Sequence, residues 1–212
     1  MTHDHHELHH QVDPLYQAPD RGAALVIGLF GGLIGAVALR LYENYLESYI
    51  MPPDSSGLSH VEPLLGEVLH LTTLDSMSLV GTHYEPGEDA SEAAARLMYR
   101  QLVNRDVVSV TDVAPSPITP GLLKDVIQWT VPIVLGGVYG GTRTTTASHD
   151  LAGGFFYGLR LWLGDTFGLA LFGLRAGPTA LPVRYHVKRL LRVWVYSFVT
   201  TGTTRLLYTL IK

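Results

Sequence analysis

Residues 22–39 run from Gly22 to Leu39 without one charged or strongly polar side chain, between Arg21 and Arg40. A stretch of about 18 apolar residues is near the shortest helix that crosses a bilayer. It lacks a basic leader and no A-x-A-like cleavage site follows, so it reads as a retained first span rather than a signal peptide. Composition agrees. Charged residues are 16% of the 212 and hydrophobic residues 47%, whereas a soluble domain carries about 25% charge. The net charge of −4 offers no basic field for nucleic acid. The chain has no cysteine, which excludes disulfides, thiol catalysis, iron–sulfur clusters and Cys-type zinc sites.

The charges are unevenly placed. Residues 42–119 hold twelve acids against Arg96, Arg100 and Arg105, whereas residues 121–212 hold ten bases and three acids. This division predicts an acidic extramembrane segment followed by a basic-flanked membrane part. Three further spans are expected. The second starts at Thr119 as N-cap and Pro120 as first helical residue, and is kinked by Pro132. The third covers 151–174, interrupted by Arg160 and Asp165, and the fourth covers 190–211, interrupted by Arg192 and Arg205. Within the acidic segment, Asp89 and Glu92 have capping-box spacing ahead of a helix near 89–104. Its expected apolar face is Ala90, Ala93, Ala94, Leu97 and Met98.

The expected fold is therefore an all-α integral membrane bundle of four transmembrane helices. The parts are a His-rich acidic tail (1–21), a first span (22–41), an acidic extramembrane segment (42–119) and three further spans (120–212). Basic residues near the span ends set the orientation. Arg40, Lys124, Arg175, Arg184, Lys188 and Arg189 outnumber Arg21, Arg143 and Lys212. The acidic segment would then be cytoplasmic and both termini would face outward.

Several motifs resemble the YagU-like family of small bacterial inner-membrane proteins. They are Glu88-Asp89-Ala90 opening an Ala-rich helix, a glycine-rich span ending Val138-Tyr139-Gly140, and 158–165 from Gly158 to Asp165. The run 181–186 from Leu181-Pro182 to His186, and Val195-Tyr196, complete the set. The resemblance implies four membrane helices in a bacterial cytoplasmic membrane and little chemistry. It also marks departures. Gln128-Trp129 stands where that family carries a His-aromatic pair, Thr166 where it has an acid, and Val193 where it often has His. Asp165 and His186 remain, so a polar site of relatives would be largely dismantled here.

Four constellations carry candidate roles. Gly28/Gly32 and Gly31/Gly35 in the first span, and Gly136/Gly140 and Gly137/Gly141 in the second, have the spacing that lets helix backbones approach closely. They serve the chain's own bundle or dock another membrane subunit. Asp165 inside the third span is expected to pair with Arg160 or Arg205, because an intramembrane ion is costly unless paired. His3, His5, His6, His9 and His10, with Asp4 and Glu7, form either a polar tail or a weak metal site. Phe155, Phe156, Tyr157, Trp162 and Trp194 form interfacial belts, or touch pigments or quinones of a host complex. With His149 and His186 near the membrane boundaries, the bundle core offers no axial haem ligand, and no cofactor is expected. There is no Walker loop, G-x-S-x-G or H-E-x-x-H. The expectation is a non-catalytic membrane subunit that packs against other membrane proteins. The alternative is a small transporter or metal-handling protein using the His-rich tail and the Asp165 region.

Overall fold

A computed structural model describes residues 20–51, 78–103, 118–143 and 150–211, and every regular element among them is helical. The first helix, α1 (Arg21–Ile50), is α-helical to Leu41, makes one π-helical turn over Tyr42–Leu46 and closes over Glu47–Ile50. Asp20 caps it by accepting from the Ala23 N–H at 3.0 Å. Helix α2 (Ala90–Val103) follows, then α3 (Pro120–Gly141). Helix α4 is built from Asp150–Leu163, a second π turn over Gly164–Gly168, and Leu169–Leu171. Helix α5 (Val183–Leu210) ends the described chain.

Local chemistry accounts for the ends. Thr119 Oγ1 accepts from the Leu122 N–H at 3.1 Å with Pro120 as the first helical residue. At α2, Asp89 Oδ1 accepts from the Glu92 N–H at 2.9 Å, and Glu92 Oε2 accepts from the Asp89 N–H at 3.0 Å. This reciprocal box satisfies two N–H groups that a helix start leaves orphaned. The buried face of α2 differs from the expected one: Ala90, Ala93, Ala95 and Tyr99 are buried and Met98 is exposed. Tyr99 supplies the large buried surface, resting with Ala95 on Leu123 of α3. That anchor turns the face away from Met98.

Helix α1 is the central element, packing against α3 on one side and α5 on the other, while α4 packs on α5. The α1–α3 contact is backbone on backbone. A methyl placed on Gly140 would lie 2.7 Å from Gly28 Cα, and one on Gly32 would lie 2.9 Å from Gly136 Cα. Only hydrogen fits there. The α1–α5 contact uses the other glycine pair. Gly31 and Gly35 receive Thr204, Thr200 and Tyr196.

Two helices, Arg21–Ile50 and Pro120–Gly141, are long and apolar enough to cross a membrane, and only 39% and 17% of their apolar windows are buried within the fold. A soluble core helix hides its apolar stripe. These present Val26, Phe30, Leu33 and Val37 on α1, and Val126, Val134 and Val138 on α3, to the outside.

Candidate functional site

A network of ion pairs lies at one end of the bundle, where α1 and α4 finish and α3 and α5 begin. A residue stripe that repeats every four positions drifts about 40° per step around a 3.6-residue helix. The π turn in α1, with its longer hydrogen-bonded ring, offsets one such step, between Glu43 and Glu47. Both carboxylates meet α5 through Arg192. Glu47 is 5% exposed and would be costly to hold there without partners. Its Oε2 accepts from Arg192 Nη2 at 2.6 Å and Nε at 3.0 Å, and Lys188 Nζ stands 2.9 Å from Oε1. Arg192 Nη1 reaches Glu43 at 3.2 Å, and Arg40 reaches the same carboxylate at 3.0 Å. Arg40 also donates to Gln128 Oε1 of α3 at 2.6 Å, and Gln128 Nε2 donates to Ser91 Oγ of α2 at 3.0 Å. The network thus runs unbroken from α5 through α1 and α3 to α2. Lys124 closes it by bonding Glu92 at 2.6 Å.

Asp165 lies in the π turn of α4. Its carboxylate is held between two guanidinium forks, Arg189 at 2.7 and 2.8 Å and Arg175 at 2.8 and 3.2 Å. Bidentate charge-assisted pairs of this kind are the strongest a side chain makes. This corrects the expected pairing with Arg160 or Arg205. Helix α5 begins at Val183 rather than near 190, so Arg189 is helical and faces Asp165 across the α4–α5 contact. Arg175 arrives from the connection, and its guanidinium lies 5.5 Å from the Tyr185 ring centroid. Arg160 is exposed on α4 and Arg205 is exposed toward the far end of α5.

That connection is clipped to residues 78–83. Leu79 N–H donates to Leu171 O at 2.9 Å and His83 N–H donates to Gly173 O at 2.8 Å. Gly173 has φ +65°, and a side chain there would run into the Gly81 carbonyl. Arg96 of α2 holds the outer end, donating to His83 O at 2.6 Å and to both oxygens of Glu88 at 3.0 Å. Asp89 is pushed upward by burial, but the Ser91 hydroxyl, the Glu92 and Ser91 amides and Lys124 outweigh this and hold it below the ordinary carboxylate value.

The other half of the bundle interior carries hydroxyls instead of ions. Lys188, Arg192, Tyr196, Thr200, Thr204 and Tyr208 recur every four residues along α5, forming one ridge. Ser197, Thr200, Thr201 and Thr204 are buried. Three of these hydroxyls turn back onto their own helix: Ser197 on Trp194 O at 3.1 Å, Thr201 on Phe198 O at 3.2 Å, and Thr204 on Thr200 O at 2.7 Å. Tyr196 and Tyr157 donate to Pro132 O and Leu135 O of α3 at 2.6 and 2.8 Å.

Among the candidate glycines, Gly28, Gly32, Gly136 and Gly140 meet each other, Gly31 and Gly35 meet α5, and Gly137 meets Leu29 of α1. Gly141 has open space around it. Of the aromatic candidates, Phe155 and Phe156 face outward, Trp162 and Trp194 are half-buried, and Tyr157 points inward. His186 Nε2 lies 2.8 Å from Pro178 O. The tail histidines His3, His5, His6, His9 and His10, and His149, lie outside the described residues. No group of three or more metal-ligating side chains occurs among the described residues.

The sequence reading missed Arg40, Glu43, Glu47, Gln128, Lys188 and Arg192 as one unit. The four-residue recurrence on α5, and its echo in Glu43 and Glu47 just past the apolar run, were the available signals.

No family model matches the chain, and neither a curated protein nor a solved structure matches it.

Proposed function

We propose that this chain is a four-span integral membrane protein with a structural, non-catalytic role. It packs against other membrane proteins in a larger, bioenergetic-type complex of a bacterial cytoplasmic membrane. The observation that carries this reading is the pairing of a closed interior with an apolar exterior. Backbone-on-backbone glycine contact fills the α1–α3 seam. The α1–α5 seam is filled by Tyr196, Thr200 and Thr204 against Gly31 and Gly35, and Ser197 and Thr201 fill the α4–α5 seam against Gly158 and Gly154. The Ser197, Thr201 and Thr204 hydroxyls are committed to carbonyls of their own helix. A carrier needs polar groups turned toward a water-filled site near the midplane. Here Tyr196 and Tyr157 are committed to carbonyls of α3, and Thr204 to a carbonyl of its own helix.

The competing reading, a small transporter or metal-handling protein, draws on Asp165 and the His-rich tail. The four fork contacts on Asp165 engage the lone pairs that a transported cation would require. The glycine pairs serve the chain's own packing, so docking to neighbours falls to the outer faces of the helices. The basic residues of the ionic end orient it toward the cytoplasm, with the two termini on the opposite side. The resemblance to the YagU-like family fits the same four-span plan.

Gentle-detergent extraction from native membranes, followed by mass spectrometry of co-migrating chains, tests the role. A stoichiometric large complex is expected. A chain that runs alone or as a small homo-oligomer overturns it.

A further inference from the structure

The apolar exterior does not stop where the ionic network begins. On α1, Leu41, Tyr45, Leu46, Tyr49 and Ile50 are exposed at the level of Glu43 and Glu47 or beyond. Beside α4, Leu79 is 81% exposed, Val80 56% and Phe172 64%. These last three come from different parts of the chain, yet they are fixed side by side. The Leu79 N–H bonds Leu171 O, next to Phe172, and the His83 N–H bonds Gly173 O. The turn carrying Leu79 and Val80 is closed by Ser78 Oγ donating to Gly81 O, with Gly81 at φ +91°. A built turn therefore holds two large apolar side chains outward next to a third.

We propose that Leu79, Val80 and Phe172 form an interfacial anchor that inserts into the lipid leaflet surrounding the ionic end. The inference rests on the membrane reading above. Continuity decides the occupant. Phe172 follows the last turn of α4, whose outer side already exposes Phe156 and Leu163, so the patch extends the apolar surface that faces lipid. Counting along α4, Phe172 lies seven residues past Asp165, roughly 10 Å along the axis. This end of α4 therefore projects beyond the ionic layer, toward the membrane–water boundary where amphipathic and aromatic groups settle. On α1, the exposed Tyr45 and Tyr49 flank Glu47, and tyrosines are enriched at the membrane–water boundary. The anchor is hydrogen-bonded through Gly173 to the connection that delivers Arg175 to Asp165. Lipid contact would therefore hold residues 78–83, and through Arg96 helix α2, against the membrane face of the bundle.

The chain has no native cysteine, so single-site spin labelling is clean. Leu79→Cys, Val80→Cys and, as a mid-span control, Phe30→Cys are labelled in the full chain. Each is reconstituted in vesicles of phosphatidylcholine with phosphatidylglycerol. Collisional relaxation by oxygen, which partitions into lipid, is compared with that by a water-soluble nickel complex. The expected result is oxygen accessibility above nickel accessibility at all three sites, with Leu79 and Val80 shallower than Phe30. Nickel-dominated relaxation at Leu79 and Val80 with lipid-like Phe30 overturns the anchor and leaves the membrane reading standing. Low accessibility of both relaxants at Leu79 and Val80 assigns the patch to protein contact and also overturns it. Nickel-dominated relaxation at all three sites removes the membrane reading itself.

Discussion

The two halves of this helical bundle hold their helices together by opposite means. The apolar half removes side chains, so that Gly28 and Gly32 of α1 touch Gly136 and Gly140 of α3 directly. The ionic half adds long charged side chains and links α5, α1 and α3 through six residues from Lys188 to Gln128, and reaches α2 through Ser91. The first device is short-range and intolerant of volume. The second is longer in reach, tolerant of small shifts and sensitive to charge. The boundary between them lies at Arg40, the first charge after the apolar run of α1.

The contrast is broken most severely from the apolar side. Gly136→Leu forces a side chain into the backbone of α1, and overpacking of this kind is expected to cost about 3 kcal/mol or more. Gly141→Ala, one residue beyond the stripe and in open space, should stay within about 0.5 kcal/mol. Denaturant unfolding in detergent compares the two. Equal effects would show that the glycines are not in contact across the seam.

At the ionic end, Asp165→Asn leaves Arg175 and Arg189 facing each other without a carboxylate. Loss of one partner from a buried pair costs about 3–5 kcal/mol, and the low end is expected because Arg189 reaches solvent. Arg160→Ala, on the exposed side of the same helix, should change stability by less than about 0.5 kcal/mol. A larger effect from Arg160 than from Asp165 would restore the pairing expected from sequence.

The glycine seam of the apolar half and the starts of α2 and α3 were legible in the residues themselves. Spacing of four between glycines, Thr119 before Pro120, and Asp89 three before Glu92 each specify a local geometry with one main solution. Spacing does not say which helix meets which glycine, so the split of one helix into a Gly28/Gly32 side and a Gly31/Gly35 side needed the fold. The ionic half was read poorly for a different reason. A π turn has no residue signature, and the charged start of α5 looks like a loop until Glu47 and Asp165 are placed opposite it. Seven helical residues, 183–189, were lost to that misreading, and Arg189 with them.

A smaller effect is expected at α2, which hangs on the ionic half. Asp89→Ala removes the N-cap and should cost about 1 kcal/mol, read as faster hydrogen exchange in 90–103. The pH dependence has a definite sign. Asp89 is held below its ordinary value in the fold, so its contribution is complete above the unfolded carboxylate value of about 3.9. It is lost as pH falls through the lower folded value. Protection of α2 that rises on acidification would contradict this arrangement.

The central claim is that the interior of the apolar half is closed. Thr200 lies in the seam between α1 and α5 and is fully buried, and Thr200→Cys is close to isosteric. Tyr49→Cys, 85% exposed on α1, is the accessible control. In sealed vesicles treated from either side with a charged thiol reagent, the account predicts modification at position 49 and none at position 200. Modification of Thr200→Cys by the aqueous reagent would reveal a water-filled path through the bundle and would contradict a structural role.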